Sequence, residues 1–256
     1  MKSLLLHICP DESHEACLEA AVDIARAFGG HVDCLETPQH DHREPSGAER
    51  QRQPIRARVE KRLGAEDIAC TWHASRLPAA QAITARAGLA DIVVLGPSAH
   101  GRDSVDGPLP LAAGVSLYAR TLTLVVPPGT HPGGGGAAAV IAWNGSAEAA
   151  QALRLSLPLL RRAACLHVVT VSGDPIAIPA FEASAYLGRH GLEAELHQWP
   201  RRNRVIGSAL LSAAVELDAS FIVMGAHGHL RGRDQILGEV TADMLDHSPV
   251  ALLLAR

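Results

Sequence analysis

The chain has 256 residues, 47% hydrophobic and 20% charged, which is ample for a packed core and unlike a disordered chain. Aromatic residues are only 3%, so the core must be built from Ala, Leu, Val and Ile. A net charge of −4 gives no support for a nucleic-acid partner.

The first ten residues, Met1-Lys-Ser-Leu-Leu-Leu-His-Ile-Cys-Pro10, hold a short apolar run broken at His7 and followed at once by Asp11 and Glu12. A secretory signal needs a longer apolar region and a small-residue cleavage site, so 3–9 is expected to be a first strand. No apolar segment approaches the ~18 residues of a membrane span. The expectation is a cytoplasmic protein with no membrane partner. Five cysteines, at 9, 17, 34, 70 and 165, are odd in number and include no C-x-x-C pair; they read as small reduced core residues.

Asp11–Ser13 is expected to form a turn and cap for a helix over 13–28, with Cys17, Ala20, Ala21, Ile24 and Phe28 on one face and Gly29-Gly30 as its stop. A strand at 31–36 leads into a polar segment with His and Pro, 37–54, read as a surface loop. A charged helix is expected around 47–63, then strand 68–74, helix 78–89, strand 91–96, a weak helix over 110–119 and strand 121–126. Residues 127–136, Pro-Pro-Gly-Thr-His-Pro-Gly-Gly-Gly-Gly, make the clearest linker. The pattern then restarts: strand 138–143, helix 146–161, strand 165–171, helix 179–190, strand 192–199, helix 204–217, strand 220–225, helix 238–247 and strand 250–255.

The halves are copies. Asp11-Glu-Ser13 matches Asn144-Gly-Ser146, Glu15-Ala16 matches Glu148-Ala149, and Asp91-Ile-Val-Val-Leu-Gly96 matches Ser220-Phe-Ile-Val-Met-Gly225. One short length difference, placed in the 37–60 region, reconciles the offsets. Alternating strands and helices predict a parallel sheet covered on both faces, with ligands at the carboxyl ends of its strands. The expected division is domain one over 1–127, a linker over 128–136 and domain two over 137–256.

Glycines 225, 228 and 238 give the spacing G-x2-G-x9-G across a strand end, a loop and a helix start. That combination suits an anion: small residues let the backbone approach a phosphate, and free helix-start amides point at it. The bland alternative is a tight turn. Arg231 and Arg233 could balance phosphate charge or simply be solvated. Glu239, directly after the last glycine, opposes a phosphate. A first-turn carboxylate gains ~0.5 kcal/mol from the helix dipole. Near a phosphate ~4 Å away it costs about 1 kcal/mol in water and several times more when desolvated. Repulsion therefore wins unless Mg2+ bridges the two.

These pieces, in this order and duplicated, resemble a tandem universal stress protein. The second half carries Ala142-Trp-Asn-Gly-Ser146, Leu166-His-Val168, Val223-Met-Gly225 and the glycine spacing; the first carries Pro10-Asp-Glu-Ser13 and Ala90-Asp-Ile-Val-Val-Leu-Gly96. The resemblance implies two flavodoxin-like (adenine nucleotide alpha hydrolase-like) five-stranded α/β sheets of order 3-2-1-4-5, paired through their final strands as an internal pseudo-dimer. A further homodimer is compatible with it.

It also implies an ATP site, with Mg2+, in the second half: Ala142, Asn144, Val168, Met224, Gly225, Gly228, Gly238, Glu239, Val240 and Thr241. Asn144 stands where ATP-binding relatives have an acid that meets the adenosine; it is equally placed to cap the helix after it. Val168 matches a residue whose backbone meets the base, or is plain strand packing. Met224, Ala226 and His227 would line the approach, and Thr241 matches a hydroxyl position that could reach a terminal phosphate. In the first half the matching glycine positions hold Ala99 and Leu109, and Pro97, Pro108 and Pro110 lack amide protons, so no nucleotide is expected there.

Three readings stay open: a stress-response binding or regulatory protein, a ligand-free interaction module, and a slow ATPase. His227-x-His229 and His40-Asp-His42 lack a complete metal-ligand set, so no metal is expected.

Overall fold

The computed structural model describes residues 1–38, 45–97, 110–132, 136–173, 177–226 and 238–256, with the side chains described from 53 onward in the second of these segments. In the first half, strands β1 (Ser3–Ile8), β2 (His31–Glu36), β3 (Cys70–Ala74), β4 (Ile92–Leu95) and β5 (Leu122–Val125) alternate with helices α1 (His14–Phe28), α2 (Pro45–Gly64), α3 (Ala79–Ala87) and α4 (Leu111–Tyr118). In the second, β6 (Ala138–Ala142), β7 (Cys165–Val171), β8 (Glu195–Trp199), β9 (Ala219–Gly225) and β10 (Ala251–Ala255) alternate with α5 (Ala147–Leu160), α6 (Ala180–Arg189), α7 (Ile206–Glu216) and α8 (Glu239–His247).

The strands lie in one ten-stranded sheet of order β3-β2-β1-β4-β5-β10-β9-β6-β7-β8. Each half has its own strands in the order 3-2-1-4-5, and the two five-stranded sheets are fused into one. Every neighbouring pair is parallel except β5 with β10, which run antiparallel, with Val125 opposite Leu252, Leu124 opposite Leu253 and Thr123 opposite Leu254. Parallel strands buried on both faces read as unbroken apolar runs. β4 (Ile-Val-Val-Leu) and β10 (Ala-Leu-Leu-Leu-Ala) are buried at every position.

Helices cover both faces. One core layer gathers side chains from α1, α2, α5 and α6, the other from α3, α4, α7 and α8, and each layer continues from one half into the other. Local chemistry sets the helix ends. Asp11 Oδ1 accepts the Ser13 N–H at 2.9 Å just before α1, and Gly29 ends it in the left-handed region at φ 57°. Asn144 Oδ1 likewise accepts the Ser146 N–H at 3.1 Å, and Ser146 Oγ caps α5 by accepting the Ala149 N–H at 3.1 Å.

Two sequence expectations are corrected. The segment 37–54 is not a loop throughout: α2 starts at Pro45 and runs through Pro54. Proline at a first helical position loses no hydrogen bond, which accounts for Pro45. Further along, α2 buries Val59 and Leu63 in the core beside α1, and Arg62 clasps Glu19 with two 2.7 Å bonds while Arg58 meets Glu15 at 2.7 Å. The length difference between the halves is also not confined to 37–60. In strand register Leu4 beside Ile92 corresponds to Ala139 beside Phe221, whereas the turn residue Asp11 corresponds to Asn144, so the turn after β1 is two residues longer than the turn after β6.

No described helix is long and apolar enough to cross a membrane. The central pairing contains one polar group. Thr123 is fully buried and its Oγ1 has no hydrogen-bond partner among the described residues. A buried hydroxyl without a partner costs about 1–3 kcal/mol of desolvation, and valine keeps its shape. Thr123→Val is therefore expected to leave stability unchanged or to raise it by about 1 kcal/mol, read from the urea unfolding midpoint.

Candidate functional site

The carboxyl ends of β6 and β9 and the start of α8 bring the expected second-half residues into view. Ala142 ends β6 and is half-buried. The chain then turns through Trp143-Asn144-Gly145, where Gly145 sits at φ 72°. A Cβ on Gly145 would stand 2.3 Å from the Ile178 nitrogen and 2.7 Å from its carbonyl oxygen. Trp143 Nε1–H donates to that same carbonyl at 2.8 Å. The backbone at 177–178 is thus laid across the turn after β6 and held there by the indole. The side-chain oxygen of Asn144 accepts the Ser146 N–H and so shapes the turn before α5, whose cap is Ser146 itself.

Val168 is fully buried in mid-strand, flanked by Ile141 on β6 and Leu196 on β8, where its backbone lies within the ladder. Met224 is buried near the end of β9. Ala226, also buried, donates its N–H to the Ala255 carbonyl at 2.8 Å, which ties the strand exit to β10.

Gly225 has a packing duty. A Cβ there would lie 2.5 Å from the Ala149 nitrogen and 2.6 Å from the Glu148 carbonyl carbon, in the first turn of α5. Its counterpart Gly96 is pressed the same way: a Cβ would meet Ser13 Oγ at 1.8 Å, at the start of α1. In both halves a glycine stands at the exit of the fourth strand, where the start of the first helix lies against it.

Gly238 is the N-cap of α8 and supplies no side-chain cap. Glu239 is exposed in the first turn, Val240 packs partly against the core, and Thr241 is 4% exposed. The Thr241 Oγ1 lies 3.9 Å from where a Gly238 Cβ would be. Gly228, His227, His229, Arg231 and Arg233 lie outside the described residues, as do Ala99, Pro108, Leu109, His40 and His42. Pro97 and Pro110 are described, and Pro110 is the N-cap of α4.

The corresponding end of β1 holds a different chemistry. His7 is buried with its Nε2 2.9 Å from Thr37 Oγ1. Burial pushes its imidazole down to about 4, Asp11 pulling weakly upward and His14 adding to the fall. Burial likewise pushes the Cys9, Cys17 and Cys34 thiols up to about 12, so they are neutral and poor nucleophiles at neutral pH.

One group of ligand-type side chains was not anticipated. His167 on β7 and Glu195 and His197 on β8 bring His167 Nδ1 and His197 Nε2 within 3.1 Å of each other and Glu195 Oε2 within 3.5 Å of both. The only trace in the sequence is the alternation Glu195-x-His197, which puts both side chains on one face of a strand.

Residues 138–256 match the model of the Universal stress protein family. Over its whole length the chain is similar to the crystal structure of a universal stress protein from Archaeoglobus fulgidus, with a TM-score of 0.74, 17% identity, and coverage of 99% of this chain and 96% of that one. Two Pseudomonas aeruginosa structures are also similar throughout. A functionally unknown protein gives a TM-score of 0.64 at 16% identity, covering 100% of this chain and 92% of that one. A candidate universal stress protein gives 0.65 at 17%, covering 100% and 93%. At these identities the likeness speaks for the fold. No curated protein matches this chain in sequence. Fold and second-half match together define an α/β protein of two flavodoxin-like halves. The second half matches the universal stress protein family, and the whole chain shares the fold of these solved structures, with two α/β halves in tandem.

Two outcomes are expected from this geometry. Gly225→Ala should destabilise the ligand-free protein by about 1–3 kcal/mol, as overpacking does, because backbone atoms of α5 block the methyl. Gly96→Ala should cost less, since the Ser13 hydroxyl can rotate away; denaturant unfolding of both variants checks the order. Stability should also fall with pH. Above pH ~6.5 His7 is neutral folded and unfolded; below it the unfolded chain takes up a proton that the folded chain refuses until about pH 4. The loss from His7 is about 3 kcal/mol over that window, and His7→Gln should flatten the slope by up to one proton.

Proposed function

We propose that this is a cytoplasmic stress-response binding and regulatory protein in which only the second half offers a seat for an adenine nucleotide, ATP with Mg2+ being the ligand class. In this reading 1–127 and 137–256 are the two domains, 128–136 joins them, and the first domain serves packing and pairing. One observation carries it: α8 opens on Gly238 with no side-chain cap, whereas α5 is capped by Ser146. The first-turn amides of Glu239, Val240 and Thr241 are the described donors left for a phosphate, and the helix dipole favours a negative charge there. The corresponding helix of the first half, α4, opens on Pro110, which offers no amide proton of its own.

A second reading, a ligand-free interaction module, is favoured by specific contacts. Asn144, Gly145 and Gly225 each have a structural task that explains the residue without a ligand.

Glu239 separates the two. Its exposed carboxylate would repel a phosphate held at the same helix start by about 1 kcal/mol, which is roughly fivefold in affinity. Glu239→Ser is expected to bind ATP with Mg2+ about fivefold more tightly than the parent chain in a calorimetric titration. Equal affinities overturn the repulsion assigned to Glu239, and no binding by either protein overturns the nucleotide reading and leaves the interaction module.

A further inference from the structure

β8 is an outer edge of the sheet, and its face toward α7 carries Glu195, His197 and Trp199, in register with His167, Val169 and Val171 of β7. His167 is 7% exposed, while Glu195 is open to solvent. The three ligand-type atoms form a nearly regular triangle with edges of 3.1, 3.5 and 3.5 Å. A tetrahedral ion bound by nitrogen and oxygen at about 2.0–2.1 Å holds its ligand atoms about 3.3 Å apart. The observed edges bracket that value.

The first half provides an internal control. In strand register Asp33 corresponds to His167, Thr71 to Glu195 and His73 to His197. There the arrangement is closed: His73 Nε2 lies 2.8 Å from Asp33 Oδ1, an imidazole facing a carboxylate. In the second half an imidazole replaces that carboxylate. Two facing imidazoles can share only one proton, and doubly protonated they repel. The first half thus pairs an imidazole with a carboxylate, whereas the second half places two imidazole nitrogens and a carboxylate oxygen together.

We propose that His167, Glu195 and His197 bind one divalent transition-metal ion of the Zn2+ class through His167 Nδ1, His197 Nε2 and a Glu195 oxygen. The fourth position would be open to solvent or an exogenous ligand. Two imidazoles and one carboxylate suit Zn2+, Co2+ or Ni2+, whereas Mg2+ and Ca2+ prefer oxygen throughout. His197 also lines a groove of about 350 Å³ with Trp199, Arg204 and Glu216, which gives the ion a way in. The ion would cross-link the edge strand β8 to β7. The site lies toward the amino ends of these strands, whereas the proposed nucleotide seat lies at the carboxyl ends, so neither proposal rests on the other.

The test uses the full chain with any affinity tag removed, stripped with a chelator and titrated with Zn2+ against a chromophoric competitor. One equivalent is expected to bind tightly and raise Tm, and Co2+ in its place should show the visible absorption of a four-coordinate ion. His197 is partly exposed, so His197→Ala should fold, as circular dichroism will confirm. It should lose about 100-fold or more in Zn2+ affinity, since even residues that only support a ligand cost 10–100-fold. Glu195→Gln should lose about tenfold, and a His227→Ala, His229→Ala double variant should bind like the parent. Absence of uptake by the parent at equimolar Zn2+ overturns the proposal, as does unchanged affinity in folded His197→Ala.

Discussion

The antiparallel pairing of β5 with β10 is the interaction on which the rest of the architecture depends. Each half ends in a strand buried along its whole length, and a buried strand with a free edge would leave a row of amide and carbonyl groups without partners. Pairing the two final strands satisfies both edges at once and makes a single ten-stranded sheet. It also makes both core layers continuous across the junction, so α4 and α5 pack against strands of both halves. The outermost strands are then β3 and β8, whose exposed faces and polar side chains suit an edge.

Close approach of the first helix to the fourth strand is the second constraint, and it reassigns a residue. Gly225 belongs to a spacing that suits a phosphate loop, yet its missing side chain makes room for the backbone of α5. Gly96 makes room for the Ser13 side chain at the start of α1, in a half whose matching loop positions hold Ala99 and Leu109. A glycine shared by both copies thus speaks for packing, while Gly238, present in one copy only, carries what remains of the anion argument. Asn144 shows the same economy: its amide shapes the turn before α5, as the Asp11 carboxylate shapes the turn before α1.

The order of elements was legible because buried parallel strands are short apolar runs and the helices between them carry clear stops, such as Gly29. α2 was less legible: its charged sequence with Pro54 inside has weak helical periodicity, and its ion-pair partners Glu15 and Glu19 come from another helix. The site was legible as a list of residues, not as a set of contacts. Nothing local announces that 177–178 crosses Gly145 or that α5 starts against Gly225. The His167, Glu195 and His197 group was hidden for the same reason: two strands about thirty residues apart become neighbours only through sheet register.

The antiparallel junction also separates the two ligand ends in space. Because every other pairing is parallel, the carboxyl ends of β1 and β4 emerge on one rim of the sheet and those of β6 and β9 on the opposite rim. Loops on one rim can therefore differ in sequence and length without touching those on the other, so each half's strand-end chemistry is independent of its copy's.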